Sequence, residues 1–238
     1  MKYMDPIIKK DEVLRYLGYR NQELDDITKQ LIEESIKETI DLMEAKHIHK
    51  TFPLRREGDD IYLEGTNLNL LGQDIKRLLA QSGSCVLMAV TLGHRIDKAI
   101  RYYEKINMAK ALVMDACASA AIEEVCNQVN QQIREDLVKE DKHLTRRYSP
   151  GYGDFPLDLQ GPLLEVLEAK KRIGLNVTSH NILIPRKSVT AIIGIMDKEE
   201  KQEETNCKDC NKYSSCNYRK GDVGCGNYGK IKERYSNI

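Results

Sequence analysis

Neither sign of charge dominates this chain: 37 Lys and Arg face 37 Asp and Glu over 238 residues. A domain that grips nucleic acid through its phosphates carries a basic excess, so the balance excludes a general nucleic-acid partner. No apolar run approaches the ~18 residues that a membrane span requires. The opening Met1-Lys2-Tyr3-Met4-Asp5-Pro6 turns charged at once and is followed by no signal-peptide core, so the expectation is a soluble, cytoplasmic protein. Cysteine is not spread along the chain as it is in small secreted disulfide scaffolds. Cys85, Cys117 and Cys126 stand singly in apolar surroundings, whereas Cys207, Cys210, Cys216 and Cys225 crowd the end. With 41% hydrophobic and 31% charged residues the chain is globular, and its length suits one substantial domain with an appendage.

The first half reads as mostly helical. Asp11 is placed to cap a short helix that exits at Gly18, and a longer helix follows from about Glu23 to Ala45. In that longer helix Leu24, Ile27, Leu31, Ile36, Ile40 and Met43 form a candidate buried stripe. Thr51–Leu54 and Ile61–Leu63 flank Glu57-Gly58-Asp59-Asp60 as a hairpin. His47 and His49, beside the helix end, are expected to cap it. A helix around Leu70–Ala80 precedes Ser84–Thr91, a short β-branched run between Gly83 and Gly93 that reads as a buried strand. Ile96–Val138 is a long helical stretch with a break near Asn107, and its patch Ala116–Ala121 suits close packing on a neighbour. Leu163–Lys171 reads as a helix stopped by Gly174, and Ser188–Met196 as a strand. Strands and helices are mixed without βαβ alternation, which gives an α+β class. The acidic segment 197–206 reads as a linker, separating a domain of residues 1–196 from a tail of residues 207–238.

Arg147-Tyr148-Ser149-Pro150-Gly151-Tyr152-Gly153-Asp154-Phe155-Pro156 is the least ordinary stretch. Its prolines and glycines exclude regular helix or strand, so it is a shaped loop. Gly151 and Gly153 allow close approach to the backbone, Tyr148, Tyr152 and Phe155 offer flat faces, and Arg147 carries a fork matched to a carboxylate. The loop could hold a small molecule with one ring and one carboxylate, or it could be a surface turn with a solvated Arg.

Arg147-x-x-Pro150-Gly151-Tyr152, Pro156, Gly174-Leu175-x-Val177-Thr178 and Pro185-x-x-Ser188-Val189 occur in that order, and together they resemble the activation domain of cobalamin-dependent methionine synthase. Val13-Leu14-Arg15-Tyr16-Leu17-Gly18 and Thr91-Leu92-Gly93 are similar to free-standing members of that family. The resemblance spans roughly residues 10–196. It implies a C-shaped α+β domain with a twisted, mainly antiparallel sheet and flanking helices. It also implies binding of S-adenosylmethionine and its presentation to cob(II)alamin on a separate cobalamin-binding methionine synthase component or other corrinoid protein, with an electron donor. The same resemblance assigns Arg147 to the methionine carboxylate, Ser149, Pro150, Gly151 and Tyr152 to the cofactor-lining loop, and Asp141 to an acidic position six residues before the Arg. A second acidic position falls at Ser119, with Glu123 one turn later. No general acid or base is implied. No Asp-x-His-x-x-Gly stretch is present to ligate cobalamin within the chain, so a partner is expected to carry it.

Cys207 and Cys210 have two residues between them, and Cys216 and Cys225 follow after five and eight more. Four thiolates so spaced make a candidate four-ligand centre, either iron–sulfur or zinc, and iron–sulfur has a use in passing an electron. Gly224-Cys225-Gly226-Asn227-Tyr228-Gly229 matches a dinucleotide fingerprint only formally, since no βαβ unit can surround it. Two further readings stay open: a conventional methyltransferase with its own acceptor, and a non-enzymatic metal-binding adaptor that works through the Cys tail.

Overall fold

The computed structural model describes residues 6–19 and 23–197. Most of the expected linker and the whole Cys-rich tail, with Cys207, Cys210, Cys216 and Cys225, lie outside the described residues. The elements run α1 (Lys10–Tyr16), α2 (Asp26–Leu42), β1 (Lys46–Glu57), β2 (Asp60–Leu63), α3 (Gln73–Leu78), β3 (Ser84–Thr91), α4 (His94–Ile106) and α5 (Met108–Val138). They continue with β4 (His143–Leu144), a 3-10 turn (Leu157–Leu159), α6 (Gln160–Val166), α7 (Ala169–Ile173), β5 (Asn176–Val177), β6 (Leu183–Ile184) and β7 (Ser188–Met196). Five strands form one antiparallel sheet in the order β2-β1-β3-β7-β4, and β5 pairs with β6 alone. The α+β class holds.

β3 sits at the centre, and its alternation builds two cores at once. Val86, Met88 and Val90 join the helical layer of α1, α2, α4 and α5. Cys85, Leu87 and Ala89 join the opposite layer of α3, α6, α7 and the loop after Tyr148. Burial of this kind stabilises by roughly 1.5–3 kcal/mol for each large side chain. β7 alternates in the same way, with Ala191, Ile193 and Ile195 on the helical side and Ile192 on the other.

α5 is the axis of the helical layer. Ala116, Cys117, Ala118, Ala120 and Ala121 are all buried, which lets α1, α2, α4 and the sheet approach it closely. The break at Asn107 is where expected, and the Asn107 Oδ1 accepts from the Lys110 N–H (3.1 Å) to cap α5. The three core cysteines pack as small apolar groups, and burial pushes each thiol to about 12. Among the described residues no helix is long and apolar enough to cross a membrane.

Several local expectations need correction. Asp11 lies in the first turn of α1 rather than at its cap, which is Lys9 with no side-chain bond. α2 is shorter than expected, and the Asp25 carboxylate caps it by accepting from the Thr28 N–H (2.7 Å). Its buried face is Ile32, Ser35 and Thr39, while Ile27 and Ile40 are exposed. Leu24, Leu31, Ile36 and Met43 of the expected stripe do pack, partly buried, at the margin of the helical core. His47 and His49 do not cap a helix. They stand on one face of β1, which begins at Lys46 because β3 offers pairing partners from Thr91 to Ser84. The helix after Leu163 breaks at Glu168, whose φ of 54° divides α6 from α7.

Gly194 lies where β7 crosses under Leu79, Ser82 and Thr145, and an added Cβ would stand 2.9 Å from Thr145 Cγ2 and 3.0 Å from Leu79 Cδ2. Gly194→Ala is therefore expected to destabilise by ~1–3 kcal/mol through overpacking. Urea unfolding checks this, and an unchanged midpoint would show that the layer has slack at this point.

Candidate functional site

The site begins with a register fault in the edge strand. Leu144 pairs with Ile195, and the Thr145 N–H donates to the Gly194 carbonyl (2.9 Å). A regular ladder would then set Arg147 opposite Ile192, yet it is Tyr148 that bridges Ile192, exchanging N–H···O bonds of 2.9 and 2.8 Å. Arg146 and Arg147 together oppose Ile193, which is a β-bulge. The extra residue inverts the alternation. Arg147 is sent to the helical side, and Tyr148 enters the opposite core beside Phe155. Arg146 stacks its guanidinium over the Tyr148 ring at 5.3 Å.

On the helical side the Arg147 Nη2 donates to Glu123 Oε2 (3.2 Å) and Asn127 Oδ1 (3.0 Å), one turn apart on α5. Only 15% of the Arg147 side chain is exposed. The buried Cys126 lies beside it; burial raises that thiol, and the neighbouring guanidinium offsets a little of the rise. From α1, Tyr16 faces the same carboxylate, its phenol raised first by burial and then by Glu123. Two turns toward the α5 N-terminus, Lys187 makes a second clamp. Its ammonium donates to Asp115 Oδ1 (2.8 Å), Ser119 Oγ (2.9 Å) and the Asp115 carbonyl (3.1 Å). The Arg186 N–H donates to Asp97 Oδ2 (2.7 Å), so the turn before β7 is fixed to both α4 and α5. Ser119, Glu123 and Asn127, the α5 side of the two clamps, are half-buried, as are Ser149, Ser188 and Val189.

Beyond Tyr148 the chain turns tightly. The Tyr152 N–H donates to the Ser149 carbonyl (3.2 Å), Phe155 N–H to Tyr152 (2.9 Å) and Gly151 N–H to Phe155 (2.8 Å). Phe155 and Pro150 are buried and anchor the base, while Tyr152 is 63% exposed at the tip. Gly151, at φ 88°, and Gly153, at φ 52°, take backbone conformations that other residues rarely adopt. A carboxylate exchange fastens this turn to α3. Asp154 accepts from the N–H groups of Gln73 (2.6 Å) and Asp74 (3.0 Å), and Asp74 accepts from the Tyr148 hydroxyl (3.1 Å) and the Asp154 N–H (3.4 Å). The amide donors hold the Asp154 carboxyl below the usual carboxylate range. Burial, and then the charge of Asp74, push the Tyr148 phenol to about 12.

Ser149, Pro150, Gly151 and Tyr152 thus share one bonded turn, with the Tyr152 ring 6.4 Å from that of Tyr148, while the Arg147 side chain, two residues earlier, lies against α5. Asp141 lies exposed between the end of α5 and β4, with φ 55°, six residues before Arg147. Ser119 is bound to Lys187, and it is Glu123 that meets Arg147. Asn127, Asp74 and Asp154 were not anticipated. A four-residue period on α5, Asp115-Ser119-Glu123-Asn127, could have indicated the first of these; no linear signal links residues 74 and 154.

The family model of the vitamin B12 dependent methionine synthase activation domain matches residues 1–219. The chain belongs to this family. The match runs past Met196 and so into the Cys-rich segment. No curated protein matches the chain in sequence. Among solved structures, a crystal structure of the MetH reactivation domain bound to AdoHcy is similar with a TM-score of 0.59 and 16% identity, covering 82% of this chain and 71% of that one. At that identity the likeness establishes an activation-domain fold for the described residues.

Two outcomes follow from the clasp between the turn and α3. A Cβ on Gly153 would collide with the Asp74 carboxylate and the Tyr148 hydroxyl at a positive φ. Gly153→Ala should lower stability by at least the ~1–2 kcal/mol of the left-handed backbone, measured by thermal or urea unfolding. Because the Asp154 pKa is depressed in the folded chain, its contribution is present above the unfolded value near ~3.9 and is lost as the pH falls through the folded value. Wild type should therefore lose more stability than Asp154→Asn on acidification below pH ~4; parallel acid limbs would show that the clasp contributes nothing.

Proposed function

We propose that this chain binds S-adenosylmethionine between the Arg147 turn and α5, and supports reductive methylation of cob(II)alamin carried by a partner protein. One observation carries the reading: a bulge in an activation-domain fold delivers Arg147, partly desolvated, to a wall that also holds a carboxylate, next to a glycine turn with an exposed Tyr. The fork of Arg147 receives the ligand carboxylate, which competes with Glu123 for it. Glu123, released from part of that contact, takes the ligand ammonium. The Ser149–Gly151 backbone and the Tyr152 ring define the remaining wall. Asp141, exposed just before β4, is the candidate second acidic contact for the ligand.

When bound, the sulfonium supplies a methyl group; that methyl and one electron from a donor convert cob(II)alamin to methylcobalamin, leaving S-adenosylhomocysteine. The residues of this chain hold and orient the ligand and limit water around it, and none of them moves a proton. The bonded turn and its clasp suit that task, since a preformed wall loses little conformational freedom on binding.

Arg147→Ala should weaken S-adenosylmethionine binding by ~1.5–3 kcal/mol, as for loss of a charge-assisted bond. Calorimetry tests this, and unchanged affinity would remove the assignment. Methyl transfer without any corrinoid protein would favour a conventional methyltransferase instead.

The tail carries a separate proposal that rests on cysteine spacing alone: Cys207, Cys210, Cys216 and Cys225 hold an iron–sulfur cluster or zinc. Anaerobically purified protein should contain near-stoichiometric metal that Cys210→Ser loses, with a visible charge-transfer band for iron–sulfur and none for zinc. Metal-free protein that keeps full activity would end this reading.

A further inference from the structure

We infer that Asp115 receives the ribose hydroxyls of the ligand, so that the site selects a ribonucleoside sulfonium. This inference rests on the reading just given, in which the amino-acid end lies on Glu123 and Arg147. It starts from the Lys187 clamp, which that reading leaves without a task. The Lys187 ammonium meets Asp115 Oδ1 (2.8 Å), Ser119 Oγ (2.9 Å) and the Asp115 carbonyl (3.1 Å), as many acceptors as it has N–H donors. The Ser119 hydroxyl is committed too, since it donates to the same carbonyl (2.9 Å). Neither side chain has a donor left for a ligand.

Asp115 differs. Its carboxylate is 52% exposed, and Lys187, whose own side chain is only 14% exposed, holds it through Oδ1. Among the described residues its Oδ2 accepts no hydrogen bond. A carboxylate has capacity for several donors, so Oδ2 stands as an acceptor already fixed in place. With every Lys187 donor spent, this end of the wall offers acceptors only, which suits hydroxyl groups and disfavours a phosphate or a carboxylate. Vicinal hydroxyls on a sugar are donors, and an acidic side chain is what nucleotide sites commonly offer a ribose. A charged acceptor also makes the stronger bond.

Distance selects the ribose among the groups of the ligand. Asp115, Ser119 and Glu123 recur at steps of four along α5, and from Glu123 to Asp115 the helix rises about 12 Å. From the ligand ammonium to a ribose hydroxyl run about eight single bonds, roughly 10 Å when extended. A hydrogen bond of about 2.8 Å at each end lets that chain span the gap with slack. The sulfonium, midway along it, falls level with Ser119. Asp115 also lines a hollow of about 190 Å³ with Ile100, Arg101, Arg186 and the acids Asp97 and Glu104. A ring carried on the same sugar has room there, and flat guanidinium groups suit its face.

The test measures, by calorimetry on the full chain, the affinities of S-adenosylmethionine and its 2′,3′-dideoxy analogue for wild type, Asp115→Asn and Asp141→Asn. Asp115→Asn keeps an oxygen and the backbone carbonyl for Lys187, and each variant is checked for an unchanged thermal midpoint. The expected result is a tenfold or greater loss of S-adenosylmethionine affinity in Asp115→Asn, and a similar loss for the analogue on wild type. The analogue should then bind wild type and Asp115→Asn alike, because both changes remove the same contact. Should Asp115→Asn fail to fold, the analogue on wild type decides, and its binding with full affinity overturns the contact. Equal S-adenosylmethionine affinity in wild type and Asp115→Asn, or losses that add in full, would also overturn it and leave the proposed function standing. A hydroxyl dependence that vanishes in Asp141→Asn instead would overturn the choice of carboxylate. Wild-type protein that does not bind S-adenosylmethionine would bring down the reading beneath the inference as well.

Discussion

The bridge between Tyr148 and Ile192 holds the edge chain one register step away from where a regular ladder would leave it, and the side chains on both sides of the sheet follow from that step. Pairing has period two, so one extra residue exchanges faces for everything after it. Without the extra residue Arg147 would point into the core that now holds Phe155 and Leu87, where an unpaired guanidinium is strongly unfavourable. With it, the guanidinium reaches Glu123 and Asn127, and the Tyr148 ring fills the apolar space instead. One local irregularity thus supplies a polar wall and an anchored turn together.

Rigidity comes from the other layer. The Asp74–Asp154 exchange sets two carboxylates side by side, which is tolerable because each accepts backbone or phenol donors and both remain near solvent. Gly72 and Gly153 make the approach feasible: Asp154 passes so close to Gly72 that an added Cβ would meet its carbonyl oxygen at 2.8 Å. Gly153 in the turn and Gly72 at the start of α3 therefore allow the turn to lie directly against α3. A surface loop is usually the mobile part of a fold; this one is bonded at Ile192, at α3 and through buried Phe155.

β3 and β7 were readable as apolar, β-branched runs, and both begin and end where that pattern does, whereas the first half of β1 and the two-residue β4 carry no such pattern. Asn107 was readable because a capping residue interrupts an otherwise continuous helical period. The face of α2 was read in part: Leu24, Leu31, Ile36 and Met43 pack at the core margin, whereas Ile27 and Ile40 are exposed and the fully buried centre is Ile32, Ser35 and Thr39. That choice depends on the partner's shape, which no single-helix pattern encodes. The turn itself was legible from its prolines and glycines. The bulge was not, because Arg146-Arg147 carries no mark of which residue is the extra one until β7 is laid beside it.

The same pair of charges bears on the proposed site, which is polar before any ligand arrives. Glu123 already occupies the fork of Arg147, so neither charge is left uncompensated in a half-buried setting, where an unpaired group would be costly. A ligand with a carboxylate alone would have to displace Glu123 and strand its charge. A zwitterionic amino-acid end does not: its carboxylate takes the Arg while its ammonium takes the Glu, and the count of paired charges rises from one pair to two. In the proposed reading the pre-existing ion pair would therefore filter for α-amino acid termini. It discriminates by what each candidate leaves unpaired rather than by the strength of any one contact.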